Sequence, residues 1–146
     1  MLNEKMVKDF LASVDMLFPT PLSKKQNLTQ FASKLVEKAT ICSVCENEKI
    51  VSMVAGYTEN LSNNMAYISI VASLPTAQGK GYAKSLVNDF IQICKEKSIN
   101  AVHLYTSKSN YVAIKMYENL GFVRWNLEVE DRPEDLHLIY YIGEKR

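Results

Sequence analysis

The chain predicts an α/β (α+β) fold: a mixed, mostly antiparallel central sheet of about six strands with helices on both faces. Three observations predict it. Two helical stripes precede the first strand. Three strands then follow one another through polar turns, as in an antiparallel meander. The third of these runs through a glycine turn into a long amphipathic helix and then a fourth strand, a βαβ crossover whose two strands are parallel. For 146 residues, one domain spanning 1–146 is expected.

From residue 3 to about residue 17, Met6, Phe10, Val14 and Leu17 form a helical stripe. Phe18-Pro19-Thr20-Pro21 ends it, because proline has no N–H to donate and biases its predecessor away from helix. Ser23 and Gln26 read as a capping box for a second helix. That helix carries Leu28, Phe31, Ala32, Leu35, Val36 and Ala39 on one face. Both helices are expected to cover one sheet face.

Thr40 to Cys45 and Ile50 to Thr58 are apolar strands joined by a hairpin turn, Glu46-Asn47-Glu48-Lys49. A second polar turn, Glu59 to Asn64, leads into the strand Met65 to Ser73, which Leu74-Pro75 breaks. Beyond the turn Gln78-Gly79-Lys80-Gly81, the residues Ala83, Leu86, Val87, Phe90 and Cys94 recur at helical spacing as far as Lys97. Ala101 to Thr106 is a short strand, and Ser107 to Asn110 a loop. Tyr111 to Leu120 is a helix with Ala113, Met116, Tyr117 and Leu120 on one face, stopped by Gly121. Phe122 to Glu128 and Leu136 to Gly143 are final strands around the acidic EDRPED.

Composition narrows the function classes. Apolar residues make up 47% and charged ones 23%, the balance of a globular chain with a sizeable core. A net charge of +1 gives no broad basic surface for nucleic acid. No apolar run approaches the roughly 18 residues of a membrane span. The acid-bearing start MLNEKMVKDF is not expected to be a signal peptide. Cys42-Ser43-Val44-Cys45 has C-x-x-C spacing, but it lies in a strand, without a second pair or a nearby histidine. Cys42, Cys45 and Cys94 are therefore expected to be buried structural thiols, without metal, in a cytoplasmic protein.

The strand, glycine turn and helix start around Gln78 to Lys84 form an anion site. The first N–H groups of a helix lack internal partners, the dipole there is positive, and glycine lets a phosphate approach the backbone. The string required by a P-loop is absent. A dinucleotide-binding turn needs a third glycine where Lys84 stands, and alternating βαβ units where the meander stands. A third pattern is Gln or Arg, two residues, Gly, one residue, then Gly or Ala, and Gln78, Gly81 and Ala83 match it. About thirty residues on, Asn110, Ala113, Tyr117 and Gly121-Phe122 form a second constellation.

On these two segments the chain resembles the GNAT superfamily of acyl-CoA-dependent N-acyltransferases. The resemblance covers about Thr40 to Glu128; residues 1 to 39 match loosely, without the family's usual first strand. It implies acetyl-CoA as cosubstrate and N-acetyl transfer to a primary amine, whether small molecule, amino sugar or protein amine. It also implies two neighbouring strands that splay apart at the ligand. Val71, Ala72 and Ser73 would bind the pantetheine arm through their backbone. The pyrophosphate would rest on the amides of Gln78, Gly79, Lys80, Gly81, Tyr82 and Ala83, with Lys80 and Lys84 assisting. Asn110 would contact the arm, and Tyr117 would lie near the thioester sulfur. The Phe18 to Leu22 linker is the part expected to touch the acceptor.

The chemistry adds its own demands. An alkylammonium, with pKa about 10.4, must lose a proton before it attacks, so a base is required. Glu59 is the expected base, with Tyr57, Tyr67, His103 and Glu128 as further candidates. A strand amide near Val71 is expected to polarise the carbonyl. The Tyr117 phenol is expected to give its proton to the departing thiolate. The alternative is a non-catalytic acyl-CoA-binding sensor or subunit, which needs neither base nor Tyr117. Either a monomer or a homodimer is compatible with the sequence.

Overall fold

A computed structural model describes residues 2–125 and 132–143. Six strands, β1 (Thr40–Glu46), β2 (Lys49–Tyr57), β3 (Met65–Ser73), β4 (Ala101–Ser107), β5 (Val123–Arg124) and β6 (Asp135–Tyr141), form one sheet. Their spatial order is β1-β2-β3-β4-β6-β5. Only the β3–β4 pair is parallel; the other neighbours are antiparallel. The expected mixed sheet is present, with helices on both faces.

On one face, α1 (Glu4–Val14) and α3 (Leu28–Lys38) pack Val7, Phe10, Leu11, Phe31 and Leu35 against Ile50, Met53, Ala55 and Ile70. On the other, α4 (Tyr82–Glu96) and α5 (Tyr111–Leu120) cover Val54, Ala66, Ile68, Val102 and Leu104 with Leu86, Val87, Phe90 and Tyr117. Each buried Val, Leu, Ile, Met or Phe among them contributes about 1.5–3 kcal/mol by leaving water. β2 lies between the two layers, which explains its nearly continuous apolar run.

The second long helix starts later than the Ser23 capping box implied. Asn27 is its cap, accepting the Gln30 N–H at 3.0 Å. Ser23 instead donates its N–H and hydroxyl to the Asp15 carboxylate, at 2.8 and 2.6 Å. That pins the short α2 (Leu22–Lys25) against the end of the first helical segment, and extended Gln26 separates it from α3. Among residues 2–39 no strand occurs.

Two backbone devices shape the sheet. Asn47 and Glu48 both take positive φ, 53° and 64°, the geometry of a two-residue hairpin loop whose twist suits its strands. In β3, Ser69 is bulged out: Ala55 faces Ile70, but Gly56 faces Ile68. Ala66 and Ile68 therefore point to α4, while Ile70 points to α1 and α3. Gly56 sits at this bulge. A Cβ there would lie 2.5 Å from the Tyr67 carbonyl oxygen and 2.7 Å from the Phe90 ring, so only glycine lets that ring close on the sheet.

The bulge bends β3 away from β4. The two pair only from Met65–Ala101 to Tyr67–His103. Beyond that point β3 stays with β2 as far as Ser73, and β4 stays with β6 as far as Ser107. The sheet parts into a V.

Two expectations need correction or restriction. Cys42 and Cys94 are buried, and burial pushes each thiol up to about 11. Cys45 is exposed, past a register shift near the end of the edge strand β1, so it is no core thiol. The expected strand from Phe122 is two residues long in the described part, and its remainder to Glu128 lies outside the described residues. No helix among the described residues is long and apolar enough to cross a membrane.

Candidate active site

The V opens into a cleft of about 540 Å³. Its inner half gathers Val71, Ala72, Ser73, Gln78, Ala83, Asn110 and Tyr117 from four separate elements and turns. The Leu74 N–H bonds the Val51 carbonyl in β2 at 2.8 Å. Main-chain groups alternate along a strand, so those of Val71 and Ser73 point the other way, into the gap that β4 has vacated. The Gln78 amide donates to the Ser73 carbonyl at 3.3 Å and ties the turn to that edge.

The glycine turn follows. Gly79 and Gly81 have φ of +82° and +79°, and a Cβ on either would meet nothing within 4 Å. What these positions demand is the left-handed backbone, with open space in front of it. The first bond closing α4 runs from the Ser85 N–H to the Gly81 carbonyl at 3.1 Å. The N–H groups of Tyr82, Ala83 and Lys84 therefore find no acceptor among the described residues, at the positive end of a 15-residue helix. Gly79, Lys80, Gly81, Tyr82 and Lys84 do not line the cleft itself. Lys80 lies over the Tyr82 ring at 5.8 Å, and the Tyr82 hydroxyl donates to Glu46 at 3.1 Å.

Asn110 caps α5, its side-chain oxygen accepting the Ala113 N–H at 3.2 Å. That commits the oxygen and leaves the amide N–H groups as donors toward the cleft. Tyr117 is 5% exposed, edge-on to Phe122 at 5.5 Å. Burial pushes its phenol up, so it keeps its proton throughout the working pH range.

The outer half is built differently. Leu17, Phe18, Pro19 and Leu22, from the segment after α1, share it with Tyr67 and Tyr105. Behind them the chain's only two histidines meet, His103 Nδ1 lying 2.9 Å from His137 Nε2. Burial pushes His103 down; burial, His103 and Arg132 push His137 down to about 4, so both rings are neutral at pH 7. Tyr105 is clamped, with His137 stacked at 4.2 Å and the Arg132 guanidinium 4.1 Å from its ring. Arg132 also pairs with Asp135 at 3.5 Å.

Glu59, the expected base, is not in the cleft. It is exposed and ion-paired with Lys97, which also donates to Thr58 at 3.0 Å. This pair sits at the C-terminal end of α4, the opposite end from the glycine turn, where the helix dipole favours a cation and the carboxylate holds it in place. Tyr57 is also outside the lining, with Lys34 over its ring at 5.1 Å. Tyr67 lines the cleft, His103 stands behind it, and Glu128 lies outside the described residues. Sequence reading missed Tyr105 and Arg132. Strand alternation offered a signal for Tyr105, two residues from His103 on the same face; nothing local signalled Arg132.

A family model, the acetyltransferase (GNAT) family, matches residues 7–122 and so includes the N-terminal helices that the motifs did not reach. The mycothiol acetyltransferase of Arthrobacter sp. (strain FB24) is 37% identical over 68 residues, 47% of this chain and 21% of that protein. The chain thus spans about a fifth of the length of the curated relatives it matches. Among solved structures, a GNAT-family acetyltransferase from Staphylococcus aureus MU50 is similar in fold, with a TM-score of 0.75 at 17% identity over 96% of this chain and 93% of that one. So is the PaiA N-acetyltransferase from Thermoplasma acidophilum in complex with coenzyme A, with a TM-score of 0.67 at 13% identity over 94% and 89%. With the splayed strands, the glycine turn and the sequence match in agreement, the chain belongs to the acetyltransferase (GNAT) family.

Proposed function

We propose that this chain transfers an acetyl group from acetyl-CoA to a primary amine, as one catalytic domain. The observation that carries the reading is the alignment of two sets of unused donors. The strand edge at Val71 and Ser73 continues into the free amides at the head of α4. An elongated ligand with a diphosphate at one end fits that run. The PaiA relative is described with coenzyme A bound.

When bound, acetyl-CoA supplies the acetyl group as a thioester, whose carbonyl the amine attacks and whose thiolate leaves. The Gln78 N–H is taken by the Pro75 carbonyl at 3.4 Å, so the amides from Gly79 to Lys84 hold the diphosphate, with the Lys80 and Lys84 side chains adding charge at the surface. Val71 and Ser73 bond the pantetheine arm and orient the carbonyl, and the Asn110 amide donates to the same arm. Tyr117 donates a hydrogen bond to the developing thiolate. A thiol of reference pKa about 8.5 is more acidic than this buried phenol, so the bond stabilises charge and solvent completes the protonation. His103, held neutral beside the acceptor half, takes the ammonium proton through a water, with its Nδ1 held 2.9 Å from His137 Nε2.

Calorimetry and thermal shift with acetyl-CoA, coenzyme A, NAD and ATP test the reading. A ligand at 100 times its Kd adds about 2.7 kcal/mol of stability. Acetyl-CoA and coenzyme A are expected to stabilise the protein and the other two are not. Binding without thiol release across a panel of amines would identify a sensor rather than an enzyme.

A further inference from the structure

The outer half of the cleft constrains the acceptor, provided the chain is the acetyltransferase proposed above. Apolar side chains from two elements meet there: Leu17, Phe18 and Pro19 after α1, and Tyr67 on β3. Leu17 is 48% exposed and the adjoining Met16 78%, an apolar lip left open at the mouth. Tyr105 is already engaged, with His137 stacked on its ring and the Arg132 guanidinium 4.1 Å from it, so it acts as a rigid stop. Among the described residues the charged lining balances: Lys25 and Arg132 against Glu134 and Asp135, with Arg132 and Asp135 already paired. A polyamine calls for an excess of carboxylates, which the lining does not have among the described residues, and the Leu17–Pro19 lip carries no hydroxyl for a sugar.

We infer that the acceptor is a monoamine carried on an apolar body, which lies between the Leu17–Pro19 lip and Tyr67 while the amino group reaches inward past Tyr105. Burial of each methylene then adds to transition-state binding as well as to ground-state binding. The acceptor series ethylamine, butylamine, hexylamine and 2-phenylethylamine tests this, with spermidine and glucosamine as comparison. kcat/KM should rise by up to about fourfold per methylene. Hexylamine and 2-phenylethylamine should exceed spermidine and glucosamine by at least tenfold. Leu17→Ser, at an exposed position where folding is not at stake, should flatten the gradient, and Phe18→Leu should shift it less. A flat series, or a preference for spermidine or glucosamine, overturns the inference while leaving acetyl transfer standing. Failure of acetyl-CoA to bind in calorimetry overturns both together.

Discussion

Tyr117→Phe removes one oxygen from a ring that is otherwise core. The ring is 5% exposed and packs edge-on against Phe122, and phenylalanine keeps that packing. Tyr117 lines the cleft, so the loss of its hydroxyl is felt there rather than in the core. The melting temperature should move by no more than about 4 °C, since removing the hydroxyl leaves no buried partner among the described residues unpaired. The cradle is untouched, so the acetyl-CoA Kd should stay within about twofold. Turnover is another matter. A positioned proton or hydrogen-bond donor in acyl transfer contributes roughly 10² or more, and a hundredfold loss in kcat corresponds to about 2.7 kcal/mol of transition-state stabilisation. Because burial raises the phenol, wild-type kcat should show no descending limb from Tyr117 below about pH 10, the reference value for tyrosine. Thiol release measured with a disulfide reagent gives kcat directly, in a Cys45→Ser background because Cys45 is exposed. A Tyr117→Phe enzyme with wild-type kcat, Kd and stability would refute the role.

The other predictions concern the cradle, the discarded base and the proton route. Gly81→Ala meets no steric obstacle but must hold a φ of +79°. It should lose about 1–2 kcal/mol of stability, and acetyl-CoA affinity should fall at least fivefold as the turn relaxes; calorimetry and a melt check both, and no change in either would contradict the anion-site argument. Glu59→Gln loses an exposed ion pair at the far end of α4, so stability should change by less than about 1 kcal/mol and kcat should not change. A tenfold loss of kcat would return Glu59 to the site. His103→Gln is read in the pH profile. Burial lowers the His103 pKa from its ordinary value near 6.5, so wild-type kcat/KM should be level above about pH 7. Without that base only pre-neutralised amine reacts, and log kcat/KM should climb one unit per pH unit toward the amine pKa. An unchanged profile would exclude His103.

The half of the cleft proposed for the cosubstrate was the more legible in the sequence. Gln78, Gly81, Ala83, Asn110 and Tyr117 lie in two short segments whose geometry is local: a positive φ, a helix start, a capping side chain. Glu59 shows where that kind of reading stops. It stands at the end of a strand bordering the cleft's strand, but which end of the sheet opens depends on where pairing fails, not on either strand alone.

The sequence by itself determined most of the elements, their order and the glycine turn at the head of α4, because helical and strand periodicity report each residue's own surroundings. Only the tertiary structure decided the bulge at Ser69, the V between β3 and β4, and the meeting of Leu17, Tyr67, Tyr105, His103, His137 and Arg132. Those depend on interstrand register and on contacts between residues far apart in the chain. One residue of register shift reverses every side chain beyond it, and no local pattern records it.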